Sequence, residues 1–240
     1  MITTSVDNWC GVIEAADYGP LSRHEAPFAR ALRQAVVDLS DDDHVKVIVL
    51  RTTHGDFAGA GTPPPVDTTE VLTTWHRDFA ASSAVYQAVC FSKKVVVTEV
   101  AGHCSAAGSM LVLCSDLTVA AENATFASPF TDLPEANFVL AALTMRLNRA
   151  KSWLLRGSTM PAAEAVSVGL VNQVVPADEL AATTRELARS VTGMPLDGIT
   201  MSKMLLQAVL DGHGVGREFD LADHYAIHRW AGLNAGTVQG

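Results

Sequence analysis

The sequence has no long hydrophobic run and no excess of positive charge, and each absence excludes a class of protein. Its longest uncharged stretch lies between Glu99 and Asp116 and is interrupted by glycine and serine, whereas a membrane span needs about 20 apolar residues. The formal net charge of -9 argues against nucleic-acid or anionic-membrane partners. The N-terminus has no basic segment followed by an apolar core, so we expect no signal peptide and a cytoplasmic protein.

Cysteine is also scarce. The four cysteines are Cys10, Cys90, Cys104 and Cys114, and none of them forms a C-x-x-C pair or stands at metal-ligand spacing from a histidine. We therefore predict buried thiols in a reducing compartment and no metal site.

The remaining composition is that of a folded domain. The chain has 240 residues, of which 48% are hydrophobic and 18% are charged, enough for one sizeable α/β domain with a C-terminal helical appendage. Strands are predicted at 9–17, 45–50, 95–100, 117–121 and 170–176. Helices are predicted at 25–39, 72–89, 108–114, 140–155, 162–168, 179–192 and 197–210. Strands that alternate with helices predict parallel pairing, and residues 123–137 are predicted to form a loop.

The most informative segment is residues 100–110, which read V-A-G-H-C-S-A-A-G-S-M. It joins a predicted strand to a predicted helix through small residues. Such a junction allows another molecule to approach the backbone closely, and the helix N-terminus presents free N–H groups and a positive dipole end. These are the features that hold an oxyanion.

Two further segments accompany it. Residues 57–62 read F-A-G-A-G-T after a buried strand, and residues 154–176 contain the run G-x-x-x-x-A-x-x-A followed by G-L-V-N-Q-V-V-P. Together the three segments resemble the crotonase superfamily, also called the enoyl-CoA hydratase/isomerase superfamily, over about residues 10–210. The resemblance implies a ββα-spiral core over residues 1–192 and a C-terminal helical trimerisation region over residues 193–240.

The resemblance also implies a substrate and an assembly. The substrate would be an acyl thioester carried on CoA or on the phosphopantetheine of an acyl carrier protein, with no other cofactor. The protein would be a homotrimer or a hexamer.

By this resemblance the family's two oxyanion-binding N–H groups fall on Gly61 and Ala107, or on Ala60 and Ala107 if the alignment has a one-residue gap after Phe57. Phe57, Gly59 and Ala60 would then line the substrate site. Two such donors could lower the barrier to enolate formation by about 5–8 kcal/mol.

The sequence departs from typical hydratases of the family at the two glutamates that handle water and a proton. Met110 and Phe130 stand at those positions, and neither side chain can transfer a proton. These departures resemble the crotonase-like decarboxylases of polyketide β-branching, which act on a methylglutaconyl group. By that resemblance Met110 and Phe130 form an apolar substrate pocket, and the proton donor is His224, with His103 as the other candidate.

Two other functions remain open. One is an enoyl-CoA hydratase or isomerase that uses Asp132 or Glu135, which lie in the loop that often supplies acids in related isomerases. The other is a protein that binds acyl thioesters without turnover.

Overall fold

The computed structural model describes residues 2–16, 26–53, 55–58, 71–129 and 138–221, with the backbone alone for residues 26, 71–79 and 106. They form the predicted α/β fold. The strands are β1 (Ile2–Asp7), β2 (Cys10–Ala15), β3 (Val47–Thr52), β4 (Val95–Val100), β5 (His103–Cys104), β6 (Leu117–Ala121), β7 (Thr125–Ala127), β8 (Thr159–Pro161) and β9 (Gln173–Val175). The helices are α1 (Ala26–Asp41), α2 (Val71–Cys90), α3 (Ala106–Cys114), α4 (Phe138–Thr144), α5 (Leu147–Arg156), α6 (Ala162–Val168), α7 (Leu180–Thr192) and α8 (Leu196–Gly212).

The main sheet has six strands in the order β1-β2-β3-β4-β6-β9. All neighbours from β2 onward are parallel, as predicted from the alternation of strands and helices. β3 is buried on both faces because helices cover both sides of the sheet. Ile48 and Leu50 pack in the large core with α1 and α2, whereas Val47 and Val49 pack with Ala188 of α7 on the opposite face.

The predicted single strand at 9–17 is instead a hairpin of β1 and β2. The turn residues Asn8 and Trp9 both have positive φ, 49° and 68°, which is the backbone of the tight turns that suit hairpins. β1 pairs antiparallel with β2 along its whole length. Most of β1 is exposed, so its sequence lacks the alternation that marks a half-buried strand.

Two further predictions need correction after β6. The predicted loop at 123–137 contains β7, which pairs with β5 and β8 in a separate three-stranded sheet. The predicted helix at 140–155 is two helices, because Arg146 takes an extended backbone with ψ 134° between α4 and α5. The helical spacing of the apolar residues continues across the break, and Met145 is buried there.

The C-terminal part of the described chain is helical. α7 ends at Thr192, α8 follows after a short turn, and residues 215–221 are helical as well. The division of the chain at residue 192 stays a prediction. Over the described ranges, no helix combines the length and hydropathy needed to cross a membrane.

The structure confirms the prediction of buried thiols for three of the four cysteines. All four cysteines are free, and Cys90, Cys104 and Cys114 are buried, while Cys10 is half-buried. Burial raises the pKa of Cys104 to about 12, so this thiol is protonated at neutral pH and is no nucleophile.

Asp116 connects α8 to the main sheet. Its carboxylate accepts a hydrogen bond from the backbone N–H of Val96 at 2.8 Å and forms an ion pair with Lys203 of α8. The Lys203 side chain is only 10% exposed, so the pair is largely shielded from water. The structure therefore gives Lys203 a partner within the chain.

We predict that Asp116→Ala lowers the free energy of unfolding by about 1–2 kcal/mol, because it leaves a half-buried N–H and a shielded ammonium without their acceptor. Asp41→Ala is the matched control, since Asp41 pairs with Lys93 at 3.2 Å and both side chains are more than half exposed. The control is expected to change stability by less than about 0.5 kcal/mol in urea unfolding. Equal losses of stability from the two substitutions would contradict the stabilising role of Asp116.

Candidate active site

Two loops that follow adjacent strands meet at the carboxyl edge of the main sheet. In the loop after β3, Phe57 N–H donates to Ala101 O at 2.8 Å, and Ala58 N–H donates to His103 O at 3.0 Å. Ser105 N–H donates back to Ala58 O at 2.8 Å. These three bonds continue the parallel pairing of β3 and β4 beyond the sheet. They hold the segment 57–58 against the residues that lead into α3.

Asp56 fastens the same junction from the side. Its Oδ1 accepts a hydrogen bond from His103 N–H at 2.7 Å, and its backbone carbonyl accepts one from Thr52 Oγ1 at 3.2 Å. Gly102 has a φ of +56°, and a Cβ at this position would collide with Gly55 O and Asp56 Oδ1. Glycine is therefore required where the turn passes close to Asp56.

The N-terminus of α3 is the part of the junction that can receive an anion. Ser105 is the N-cap residue and makes no side-chain capping bond. The first bond into the helix runs from Ser109 N–H to Ser105 O at 2.8 Å, so the N–H groups of residues 106–108 have no carbonyl partner within the helix. One of them is Ala107, the predicted oxyanion residue, whose side chain is 1% exposed. The helix dipole adds to the attraction for negative charge at this end.

Gly108 lets α3 approach the loop after β3. A Cβ at Gly108 would lie 2.7 Å from Ala58 Cβ, 2.8 Å from Cys104 Sγ and 3.3 Å from Phe57 Cδ1. Real Cβ atoms do not come this close to such neighbours. The first turn of α3 and the segment 57–58 are therefore in direct contact, which places the helix N-terminus beside the residues that precede the second predicted donor.

Met110 and Phe57 are fully buried beside this junction and belong to the main hydrophobic core. At residue 110 the structure thus holds a thioether within apolar surroundings. This face of α3 has no proton-transferring group at residue 110. The substrate-binding roles of Met110 and Phe57 stay predictions.

His103 lies in β5, and its ring is engaged by a neighbouring strand. Its Nδ1 is 3.2 Å from Thr125 Oγ1 of β7, with which it stands in register. Successive side chains of a strand point to opposite faces, and the next residue, Cys104, faces Gly108 of α3. His103 therefore points away from the first turn of α3. The catalytic role of His103 stays a prediction. The contact that the structure shows for its ring is the hydrogen bond to Thr125 of β7.

Several predicted site residues lie outside the described residues. They are Gly59, Ala60, Gly61, Phe130, Asp132, Glu135 and His224. Their roles stay predictions. In the part of the chain that the structure describes, no three His, Cys, Asp or Glu side chains are grouped so that they could hold a metal ion.

Two residues of the junction make contacts that the sequence does not predict. The position of Asp56 directly before Phe57 predicts a role in shaping that turn, but not its bond to the second loop, which lies 47 residues further along the sequence. Ser105 is one of several small residues in the segment 100–110, and the sequence predicts no role for its hydroxyl. A serine at the N-cap of an oxyanion-binding helix was the available signal.

A comparison with known protein families decides the assignment. The model of the enoyl-CoA hydratase/isomerase family matches residues 25–226. The chain belongs to this family. The matched residues include both loops of the junction, α3 and the helices up to residue 221. The match confirms the predicted fold class and the prediction that the protein is an enzyme.

Individual relatives agree with this assignment. A protein of Mycobacterium bovis named probable enoyl-CoA hydratase echA8 is 29% identical over 202 residues, which are 82% of this chain and 77% of that protein. The crystal structure of a probable enoyl-CoA hydratase from Mycobacterium thermoresistibile matches with a TM-score of 0.81 and 25% identity over 99% of both chains. An enoyl-CoA hydratase structure from Bacillus halodurans shares the fold at a TM-score of 0.82, with 16% identity over 95% of this chain and 94% of that one.

Proposed function

We propose that this enzyme binds an acyl thioester at the N-terminus of α3 and stabilises its enolate. The observation that carries this proposal is the first turn of α3, whose N–H groups have no helical partner and which Gly108 brings into contact with the segment 57–58. A thioester oxygen gains negative charge as the enolate forms, so fixed N–H donors stabilise the transition state more than the bound substrate.

The reaction we favour from the site is decarboxylation or double-bond isomerisation of an enoyl thioester. Hydration by a pair of glutamates needs two carboxylates, and Met110 and Phe130 occupy those positions. Loss of carbon dioxide sends an electron pair into the thioester and needs a single acid to return one proton. Apolar surroundings raise the free energy of a substrate carboxylate relative to the delocalised anion, which favours this step.

The names of the relatives favour a second candidate, hydration of an enoyl-CoA. The proteins of Mycobacterium bovis and Mycobacterium thermoresistibile are both named as probable enoyl-CoA hydratases. In this chain the proton would then be handled by Asp132 or Glu135, since residue 110 cannot do so. Under either candidate the acyl carrier is CoA or an acyl carrier protein, and the chain needs no resident cofactor.

A panel of thioesters assayed by mass spectrometry separates these candidates. We expect the wild type to remove carbon dioxide from a methylglutaconyl thioester and to leave crotonyl-CoA without added water. We expect His224→Ala to abolish the decarboxylation and Asp132→Asn to leave it intact. Addition of water to crotonyl-CoA that Asp132→Asn abolishes would select the hydratase instead. Tight binding without turnover of any thioester would contradict both reactions.

An exposed apolar surface on α8 supports the oligomer implied by the resemblance. The surface consists of side chains that are each at least half exposed: Met201, Met204, Leu205, Leu206 and Val209. Contiguous apolar surface of this kind marks association sites on soluble proteins. We propose that further copies of this chain cover this surface in a homotrimer or a hexamer.

The expected mass in solution is therefore about three or six times the chain mass of 25.4 kDa by light scattering. Leu205 is 64% exposed, so Leu205→Glu leaves the fold of the single chain intact but places a charge in the covered surface. We expect this variant to dissociate, while the control Leu205→Met keeps the wild-type mass. A monomeric wild type would contradict the proposal.

A further inference from the structure

Ser105 has a buried hydroxyl group without a partner. Within the described part of the chain, its Oγ is the single buried side-chain oxygen or nitrogen that makes no hydrogen bond. The residue is 2% exposed. Its backbone is fixed from both sides, since its N–H donates to Ala58 O and its carbonyl accepts from Ser109 N–H, each at 2.8 Å. The backbone therefore fixes Ser105 Cβ at the start of α3, and the hydroxyl can move only by rotation about the Cα–Cβ bond.

Other buried serines of this chain have partners. Ser40 and Ser92 bond each other through their hydroxyl groups at 2.7 Å, and Ser109 Oγ donates to Cys104 Sγ at 3.8 Å. Buried hydroxyl groups in folded proteins are bonded almost without exception, because an unmet bond is costly. An unpartnered hydroxyl at this position therefore indicates an acceptor that arrives from outside the chain.

The place of Ser105 in the helix identifies that acceptor. An N-cap serine ordinarily accepts a bond from the N–H two or three residues later, here Ala107 or Gly108. Ser105 has the extended backbone of an N-cap, with φ -65° and ψ 176°, but makes no such bond. An oxygen bound by Ala107 N–H would use the donor that a capping Oγ ordinarily uses, and it would therefore lie beside the Ser105 side chain. Rotation about the Ser105 Cα–Cβ bond into the staggered rotamer that faces this oxygen would turn the hydroxyl toward it as a donor.

We propose that Ser105 is a catalytic residue whose hydroxyl donates a hydrogen bond to the acyl oxygen held at Ala107 N–H. The inference rests on the proposed function, which places a thioester oxygen at this N–H. The hydroxyl adds a third donor to the two backbone N–H groups. It transfers no proton and forms no covalent bond. As the oxygen gains charge during enolate formation, the bond from Ser105 strengthens.

The test compares wild type and Ser105→Ala for binding of acetoacetyl-CoA, a thioester that ionises readily to its enolate. Calorimetry gives Kd, and thermal unfolding gives Tm. We expect the substitution to raise Kd at least fivefold and to leave Tm unchanged or higher, since it removes an unmet hydroxyl rather than a bond. Because binding of this probe needs no turnover, the result is independent of which reaction the thioester panel reveals.

Ser115→Ala is the matched control at the other end of α3. Its Oγ donates to Leu111 O at 2.8 Å, so its loss is expected to lower Tm and to leave Kd within twofold. Ser105→Cys keeps the side-chain size with a weaker donor, and we expect a smaller rise in Kd from a folded protein. A Kd change below fivefold in Ser105→Ala, a Tm loss equal to that of the control, or failure of the wild type to bind acetoacetyl-CoA would each overturn the proposal.

Discussion

Replacing Ala107 with proline is expected to lower kcat/KM for the thioester substrate by about 10²–10³-fold, equivalent to about 2.7–4 kcal/mol of transition-state stabilisation. Proline has no N–H, so Ala107→Pro removes the predicted donor at its source. The ring also occupies the space into which that N–H points. Residue 107 is the second residue of α3, so a proline there removes no hydrogen bond within the helix, although it disfavours the helical backbone of Ala106 before it.

The control for this prediction is a proline one residue earlier. Ala106→Pro stands at the first position of α3 and follows Ser105, whose extended backbone is the conformation that proline requires of its predecessor. We expect this variant to keep kcat/KM within about threefold and to unfold at the wild-type Tm. Replacement of Ala107 by lactic acid, which exchanges the N–H for an ester oxygen, removes the donor without a ring. Wild-type rates in that ester variant would disprove the role of Ala107 N–H.

The regular core of this fold was predictable from the sequence, because local patterns of apolar and turn residues determine where its strands and helices begin and end. β4 and β6 begin and end at the predicted residues, since each is a run of apolar and β-branched residues bounded by turn residues. α6 is bounded by Pro161 and Gly169, and the left-handed backbone of Gly169 ends it as predicted. Short strands lacked such a signal. β5 has two residues and β7 three, so their pairing depends on contacts that no periodicity encodes.

The candidate site was predictable where it depends on backbone alone. Small residues at a strand-to-helix junction indicated free N–H groups at Ala107, and the structure places that residue in the first turn of α3. The bond from His103 N–H to Asp56 could not be predicted, because its partners are far apart in sequence. The bond from His103 Nδ1 to Thr125 also depends on the pairing of β5 with β7. Side-chain contacts across separate elements are set by the tertiary fold rather than by local propensity.

Adding one methyl group at Gly108 is expected to lower kcat/KM by about tenfold to a hundredfold, because misplaced catalytic groups lose most of their effect over about 1 Å. In Gly108→Ala the new Cβ would lie 2.7 Å from Ala58 Cβ, which belongs to a segment held by backbone hydrogen bonds. The helix and the segment 57–58 must therefore move apart. Overpacking of this kind costs about 1–3 kcal/mol, against the gain of about 1 kcal/mol that alanine brings to a helix.

Gly198→Ala provides the matched control, since Gly198 is the third residue of α8 as Gly108 is the third residue of α3. A Cβ at Gly198 would meet its nearest neighbour, Met194 Cγ, at 3.5 Å, which is ordinary contact. The control is expected to raise the free energy of unfolding by up to about 1 kcal/mol and to keep the wild-type rate. The decisive quantity is the difference between the two variants in urea unfolding and in kcat/KM. If Gly108→Ala behaved like Gly198→Ala, close approach of α3 to the segment 57–58 would not be what positions the oxyanion donors.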